Sequence, residues 1–213
     1  PLYSSAASDV YKRQRQIQAY DEQRVTDRKF PVYAASTRGV NDSLAFRPDN
    51  ERVADVRVRK ALLHATNAKE IVQTLFTANY PQAKGVIVST AAGFVDLSAE
   101  LAFDEAKAKA LLDEAGWVPQ ADGIRAKDGL PLVLSTYESL NYLQNREVLQ
   151  LVAQQWAKVG VKLNVLSGDL GSKTIDSLDP EKTALIPAMV GRADPDVIKS
   201  NYYPTNRNLL LQK

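Results

Sequence analysis

The sequence predicts an α/β fold, and three observations carry that prediction. Segments with a helical period of apolar residues alternate along the chain with short segments of strand composition. VKLNVL at 161–166 alternates with period two directly after a helix-like stretch stopped by Gly160. The composition is that of a globular protein, with 45% hydrophobic and 24% charged residues in 213.

The elements follow in order. Residues 15–25 read as a short helix and residues 30–36 (FPVYAAS) as a strand. Arg38-Gly39 and Asn41-Asp42 are turn chemistry, 43–46 is a second short strand, and Pro48-Asp49-Asn50 breaks the chain. Val53, Val56, Ala61, Leu62 and Ala65 lie near helical spacing, with Asp55 as N-cap. Asn67 and Glu70 match a capping box for a helix whose apolar face is Ile71, Val72, Leu75 and Phe76. Residues 81–103 are loop-like. Asp104 then opens a helix with Ala106, Ala110, Leu111 and Ala115 as its inner face, Gly116 as left-handed cap and Trp117 packing beyond it. Residues 124–127 and 131–137 read as a hairpin around Asp128-Gly129. The longest helix runs from about Asn141 to Val159. A short helix at 172–178 and a buried strand at 183–190, interrupted by Pro187, complete the pattern.

Composition removes several chemistries. There is no cysteine, hence no disulfide framework and no cysteine zinc site. A single histidine, His64, lies beside Leu62, Leu63 and Ala65 and reads as a structural residue. The formal charge of +2 does not point to nucleic acid, and no apolar run approaches the roughly 20 residues of a membrane span. No phosphate-binding or dinucleotide fingerprint is present. The basic group Arg52, Arg57, Arg59 and Lys60 reads as a solvated face. Asp194 and Asp196 flank Pro195 in a polar loop after a strand, where sites often form, although Asp and Pro are also ordinary turn residues. Tyr202 and Tyr203 read equally as an aromatic binding surface or as packing.

Residues 4–14 (SSAASDVYKRQ) resemble the translation of a transposase library adapter, matched over eleven codons in frame. Residues 1–14 are therefore expected to be a non-native tail and to lie outside fold reasoning. Without Asp9, Lys12 and Arg13 the basic residues fall from 27 to 25 and the acidic ones from 25 to 24. The missing initiator Met and leader then say nothing about compartment. The C-terminus is expected to be cut as well.

Several segments in order resemble the family 5 extracellular solute-binding proteins, the dipeptide-, oligopeptide- and nickel-binding components of bacterial ABC importers. SLAF (43–46) is similar to the family's hinge strand, DVRVRKAL (55–62) to its following helix, and NAKEIV (67–72) to its D-R-E-x-I-V segment. DEAKAKALLDEAGW (104–117) matches the A-K-x-L-L-x-E-A-G-W helix. GIRAKDGLPL (123–132) and QQWAKVGVKL (154–163) match the hairpin and the helix–strand pair that follow.

The resemblance implies a fold like the type II periplasmic binding proteins, with most of the C-terminal lobe present. Residues 15–41 would be the end of the first lobe and the approach to the hinge. Residues 42–213 would be the C-terminal ligand-binding lobe, truncated at its C-terminus. It implies a binding component rather than an enzyme, with no cofactor and no metal. A peptide or small-molecule ligand would be captured between two lobes and delivered to the permease subunits of an ABC importer. The parent would be a monomer that binds no nucleic acid, periplasmic or lipid-anchored on the extracellular face, and this fragment is not expected to be competent alone. GRADP (191–195) matches the family loop whose aspartate pairs with a ligand α-ammonium, which places Asp194 in that role. Gly191 stands where many members carry Trp, and Pro195 replaces an aromatic, so an aromatic wall is lost. Arg192, Asp196, Tyr202 and Tyr203 are further ligand-binding candidates. The alternative is a hydrolase using Asp194 and Asp196. Glycosidase carboxylates stand about 5–10 Å apart across a cleft, an arrangement that two residues separated by one Pro rarely make.

Overall fold

A computed structural model describes residues 19–34, 39–139, 145–190, 196 and 198–199. The elements are α1 (Ala19–Asp27), β1 (Val40–Phe46), α2 (Val56–His64), α3 (Ala68–Leu75), α4 (Glu105–Glu114), β2 (Val118–Pro119), β3 (Arg125–Lys127), β4 (Leu130–Pro131), β5 (Val133–Tyr137), α5 (Asn145–Ala157), β6 (Lys162–Leu166), α6 (Leu170–Leu178) and β7 (Leu185–Val190).

The helix starts are set by local chemistry. Asp55, Asn67, Asp104 and Asp169 each accept a hydrogen bond from the first turn of the helix they open. The capping box at Asn67 is half made. Its side chain takes the Glu70 N–H at 3.1 Å, but the Asn67 N–H donates to Gln155 Oε1 on α5 at 2.9 Å. A tertiary partner thus replaces the reciprocal arm and ties α3 to α5. α4 ends in a Schellman motif: Gly116 at φ +87° donates to Asp113 O, and Trp117 donates to Leu112 O, both at 2.9 Å.

β5 and β6 pair in parallel from Val133↔Lys162 to Tyr137↔Leu166, with α5 as the crossover. β1 and β7 pair antiparallel from Val40↔Val190 to Phe46↔Leu185. The two pairs meet where the Ala184 N–H donates to Ser135 O at 3.0 Å and the Thr136 hydroxyl to Leu185 O at 2.9 Å. Ile186 and Pro187 share a depression with Tyr137 and Ser139, so β7 advances beside β5 in the same sense. The lateral order is β6, β5, β7, β1.

One core unites these strands with α2–α5. Leu62, Leu112, Leu132, Leu134 and Leu185 are fully buried at its centre, with Trp117 and Trp156 beside them. Burial of each such side chain stabilises the fold by about 1.5–3 kcal/mol. Buried Arg125 locks the far end. Its guanidinium donates to Val159 O (2.8 Å), Trp117 O (2.6 Å) and the Asp113 carboxylate, joining the C-terminal ends of α4 and α5.

Several expectations are corrected. Residues 30–34 form no strand: Pro31 offers no N–H, and Phe30 and Tyr33 are 58% and 90% exposed. Asn41-Asp42 is not a turn but a bulge within β1, where the register shifts between Val40 and Ser43. The inner face of α4 is Ala108, Leu111, Leu112 and Ala115, while Ala106 and Ala110 face solvent. Val56 is exposed, and Val58 takes the core position. Only Leu130–Pro131 closes the hairpin, and residues 133–137 leave it for the parallel sheet. Pro187 does not interrupt β7; it sits opposite Leu44. The start of the long helix near Asn141 lies outside the described residues. Arg52, Arg57 and Arg59 are not simply solvated. Arg52 bridges to Glu181 and Pro131 O, Arg57 to Asp55 and Glu114 O, and Arg59 to Val53 O and Ala54 O.

Gly160, at φ +83°, stops α5 where a Cβ would stand 2.8 Å from Arg125 Cγ. Gly160→Ala is therefore expected to destabilise the chain by about 1–3 kcal/mol, read as a lowered urea midpoint at unchanged slope.

Candidate functional site

Strands lying side by side in one sense deliver their carboxyl ends to one edge of a sheet, and open α/β sheets bind ligands there. In this chain the edge receives Glu138 and Ser139 after β5, residues 167–169 after β6, and β7 as it runs out at Val190. The N-terminal end of β1 returns to the same edge, because Val40 pairs with Val190.

α6 closes one side of the edge. Its Asp169 cap carboxylate accepts from the N–H groups of Gly171 and Ser172 and from the Ser172 hydroxyl, and these bonds hold its pKa below the usual carboxylate range. Gly168 lets the turn approach the Tyr137 ring, which a Cβ would meet at 3.3 Å. The helix is attached by polar bonds. Tyr137 donates to Asp176 Oδ2 (2.7 Å), Lys182 to Asp176 Oδ1 (2.9 Å), Lys173 to Glu138 O (2.7 Å) and Thr183 to Asp176 O (2.6 Å). The Tyr137 hydroxyl and then the Lys182 ammonium push the Asp176 carboxyl down, and Asp176 in turn raises the Tyr137 phenol. Arg47, only 2% exposed, donates to Ser177 O and Asp49 Oδ2 from behind. Ile175 and Leu178 on α6 point to solvent.

On the opposite side stands the β1 bulge. The Asn41 side chain donates to Gly85 O (2.8 Å) and Ile87 O (3.1 Å), and its backbone N–H to Val86 O (2.9 Å), which straps the 81–103 loop to the strand. The Ser43 hydroxyl donates to Ala188 O on β7 at 3.2 Å. Between these two, Asp42 keeps an open face, yet the packed bulge desolvates its carboxyl. Its pKa is raised to about 6, against a smaller lowering by the Ser43 N–H.

Of the site residues expected from sequence, Asp196 is described, helical and exposed. Arg192, Asp194, Tyr202 and Tyr203 lie outside the described residues. His64 is buried, with Nδ1 2.8 Å from Ala102 O, a structural position. Tyr137, Asp176 and Lys173 carried no sequence signal, since their bonds join residues up to 39 positions apart. Asp42 was not singled out either, because Asn41-Asp42 reads as turn chemistry in the sequence. Among the described residues no group of three or more His, Asp or Glu is arranged to hold a metal ion, and no helix is long and apolar enough to cross a membrane.

This architecture is that of a lobe of the type II-like periplasmic binding proteins. The model of the bacterial extracellular solute-binding proteins, family 5 Middle, matches residues 7–206, and the chain belongs to that family. It is similar to the dipeptide-binding protein of Escherichia coli (strain K12), 26% identical over 163 residues that make up 76% of this chain and 28% of the relative. It is 31% identical to the glutathione-binding protein GsiB of Salmonella typhimurium over 120 residues, 56% of this chain and 21% of that one. Among solved structures, NikA from Brucella suis in complex with Fe(III)-EDTA superposes with a TM-score of 0.73 at 23% identity, covering 86% of this chain and 37% of NikA. The oligopeptide-binding protein AppA from Bacillus subtilis, in complex with a nonapeptide, gives 0.70 at 21% identity, covering 85% and 37%. The chain thus spans less than a third of the length of these curated relatives.

A carboxyl whose folded pKa lies above its unfolded value of about 3.9 favours the folded state while protonated. Its contribution is complete below about pH 3.9 and is lost as pH rises through about 6. Asp42→Asn is therefore expected to raise the thermal midpoint at pH 7.5 and to leave it nearly unchanged at pH 4. Equal shifts at both pH values would contradict the desolvated carboxyl.

Proposed function

We propose that the chain is the ligand-binding lobe of the substrate-binding component of a bacterial ABC importer, for peptides or related small solutes. Ligand is captured at the carboxyl edge of β5, β6 and β7 and enclosed by a second lobe. Lobe closure is a ligand-driven population shift between open and closed states, and the closed form is delivered to the permease from the periplasm or, lipid-anchored, on the extracellular face. No bond is made or broken in this cycle.

The observation that carries this reading is the convergence of the strand ends. β7 runs out at Val190 on the same edge as the ends of β5 and β6, four residues before Asp194 in the chain. An aspartate in the segment leaving such an edge suits a cationic end group, because a charge-assisted hydrogen bond in a closed cleft is strong and selective. Family membership, together with relatives named for binding dipeptides and glutathione, supports a ligand that carries an α-ammonium. In the intact parent protein Asp194→Ala is expected to weaken binding of an unblocked dipeptide at least tenfold in isothermal titration calorimetry. Unchanged affinity would remove Asp194 from the site. The chain by itself offers half a cleft and is expected to bind the same dipeptide only in the millimolar range.

A further inference from the structure

We infer that Asp42, on the β1 bulge, is a second anionic anchor for the cationic group of the ligand. This rests on the reading that the carboxyl edge is the ligand site. Three features single the residue out. The first is position: the bulge opposes the last residues of β7, so Asp42 stands at the edge itself. Bulges re-aim one side chain out of the alternation of a strand, and they concentrate beside functional sites.

The second feature is fixation. Asn41 is pinned to Gly85, Val86 and Ile87 on one side, and Ser43 to Ala188 on the other. The backbone carrying Asp42 is therefore held at both neighbours by groups pulling toward different elements. Gly85 takes part in this fixation, since a Cβ there would stand 2.4 Å from Val95 O. A carboxylate mounted in this way loses little conformational freedom when a ligand arrives.

The third feature is the missing counter-charge. No described Arg or Lys lies within ion-pair distance of Asp42. Desolvation of the carboxyl by the packed bulge, with no cationic partner among the described residues, costs the fold stability, consistent with its raised pKa. Natural chains keep such unpaired groups where function needs them. A primary ammonium from the ligand is the group that completes the site.

The test uses the 15N-labelled 213-residue chain at pH 7.5, titrated with alanyl-alanine and with its N-acetylated form, following amide shifts. The expected result is a perturbation centred on residues 41–43 by the free dipeptide. Asp42→Asn should weaken that binding at least tenfold while raising the thermal midpoint, so that one substitution stabilises the chain and impairs the ligand. N-acetylation should cost a similar factor in the wild-type chain and almost nothing more in the variant. Asp42→Ser repeats the comparison with a smaller neutral side chain. Loss of binding in Asp194→Asn with wild-type binding in Asp42→Asn overturns the Asp42 assignment and leaves the edge as the ligand site. If neither dipeptide form perturbs the edge residues, both this inference and the reading beneath it fail.

Discussion

Two hydrogen bonds decide how the strands of this molecule are aligned. The Ala184 N–H to Ser135 O and the Thr136 hydroxyl to Leu185 O join β7 to β5 and bring it alongside in the same sense. Once β7 runs with β5 and β6, the segments after all three strands must leave from one edge, and the antiparallel return of β1 brings Asp42 there too. Both bonds are buried under the leucine core. Breaking either would leave a desolvated polar group at a cost of about 1–3 kcal/mol, so the alignment is strongly enforced.

The two ends of the sheet are built differently. The far end is locked by Arg125 and by the helix ends it joins, with Gly160 making room for its stem. The edge is held by polar clasps instead: Tyr137 and Lys182 on Asp176, Lys173 on Glu138 O, and Arg47 beneath the last turn of α6. The bonds at the base are buried, whereas those at the rim are exposed or half-buried. The same logic explains why Ile175 and Leu178 can face outward, since α6 does not depend on them for its attachment.

Local chemistry was legible in the sequence. The caps at Asp55, Asn67 and Asp104, the Gly116–Trp117 exit and the structural role of His64 were all readable, because each depends on neighbours within a few residues or on burial of a single face. The alanines of α4 misled, since Ala sits equally well inside and outside a helix and the phase is fixed only by Leu112. Residues 133–137 misled because their partner strand lies about thirty residues on, while the Asp128-Gly129 turn advertised a nearer one. Asn41-Asp42 has turn composition, and only pairing with β7 reveals a bulge. For the candidate site the sequence offered an expectation around Asp194 through family resemblance, which lies outside the described residues. The two sides of the carboxyl edge, Tyr137 with Asp176 and the β1 bulge with Asp42, are assembled by tertiary contacts that no local pattern announces.

The most direct test of this account is the location of a bound ligand. A crystal structure of the chain soaked with alanyl-alanine is predicted to show the dipeptide at the edge where β5, β6 and β7 end, its ammonium between the β1 bulge and the segment that follows β7. Density for the dipeptide in the groove between Val72, Phe76 and Tyr80, with the carboxyl edge empty, would contradict it.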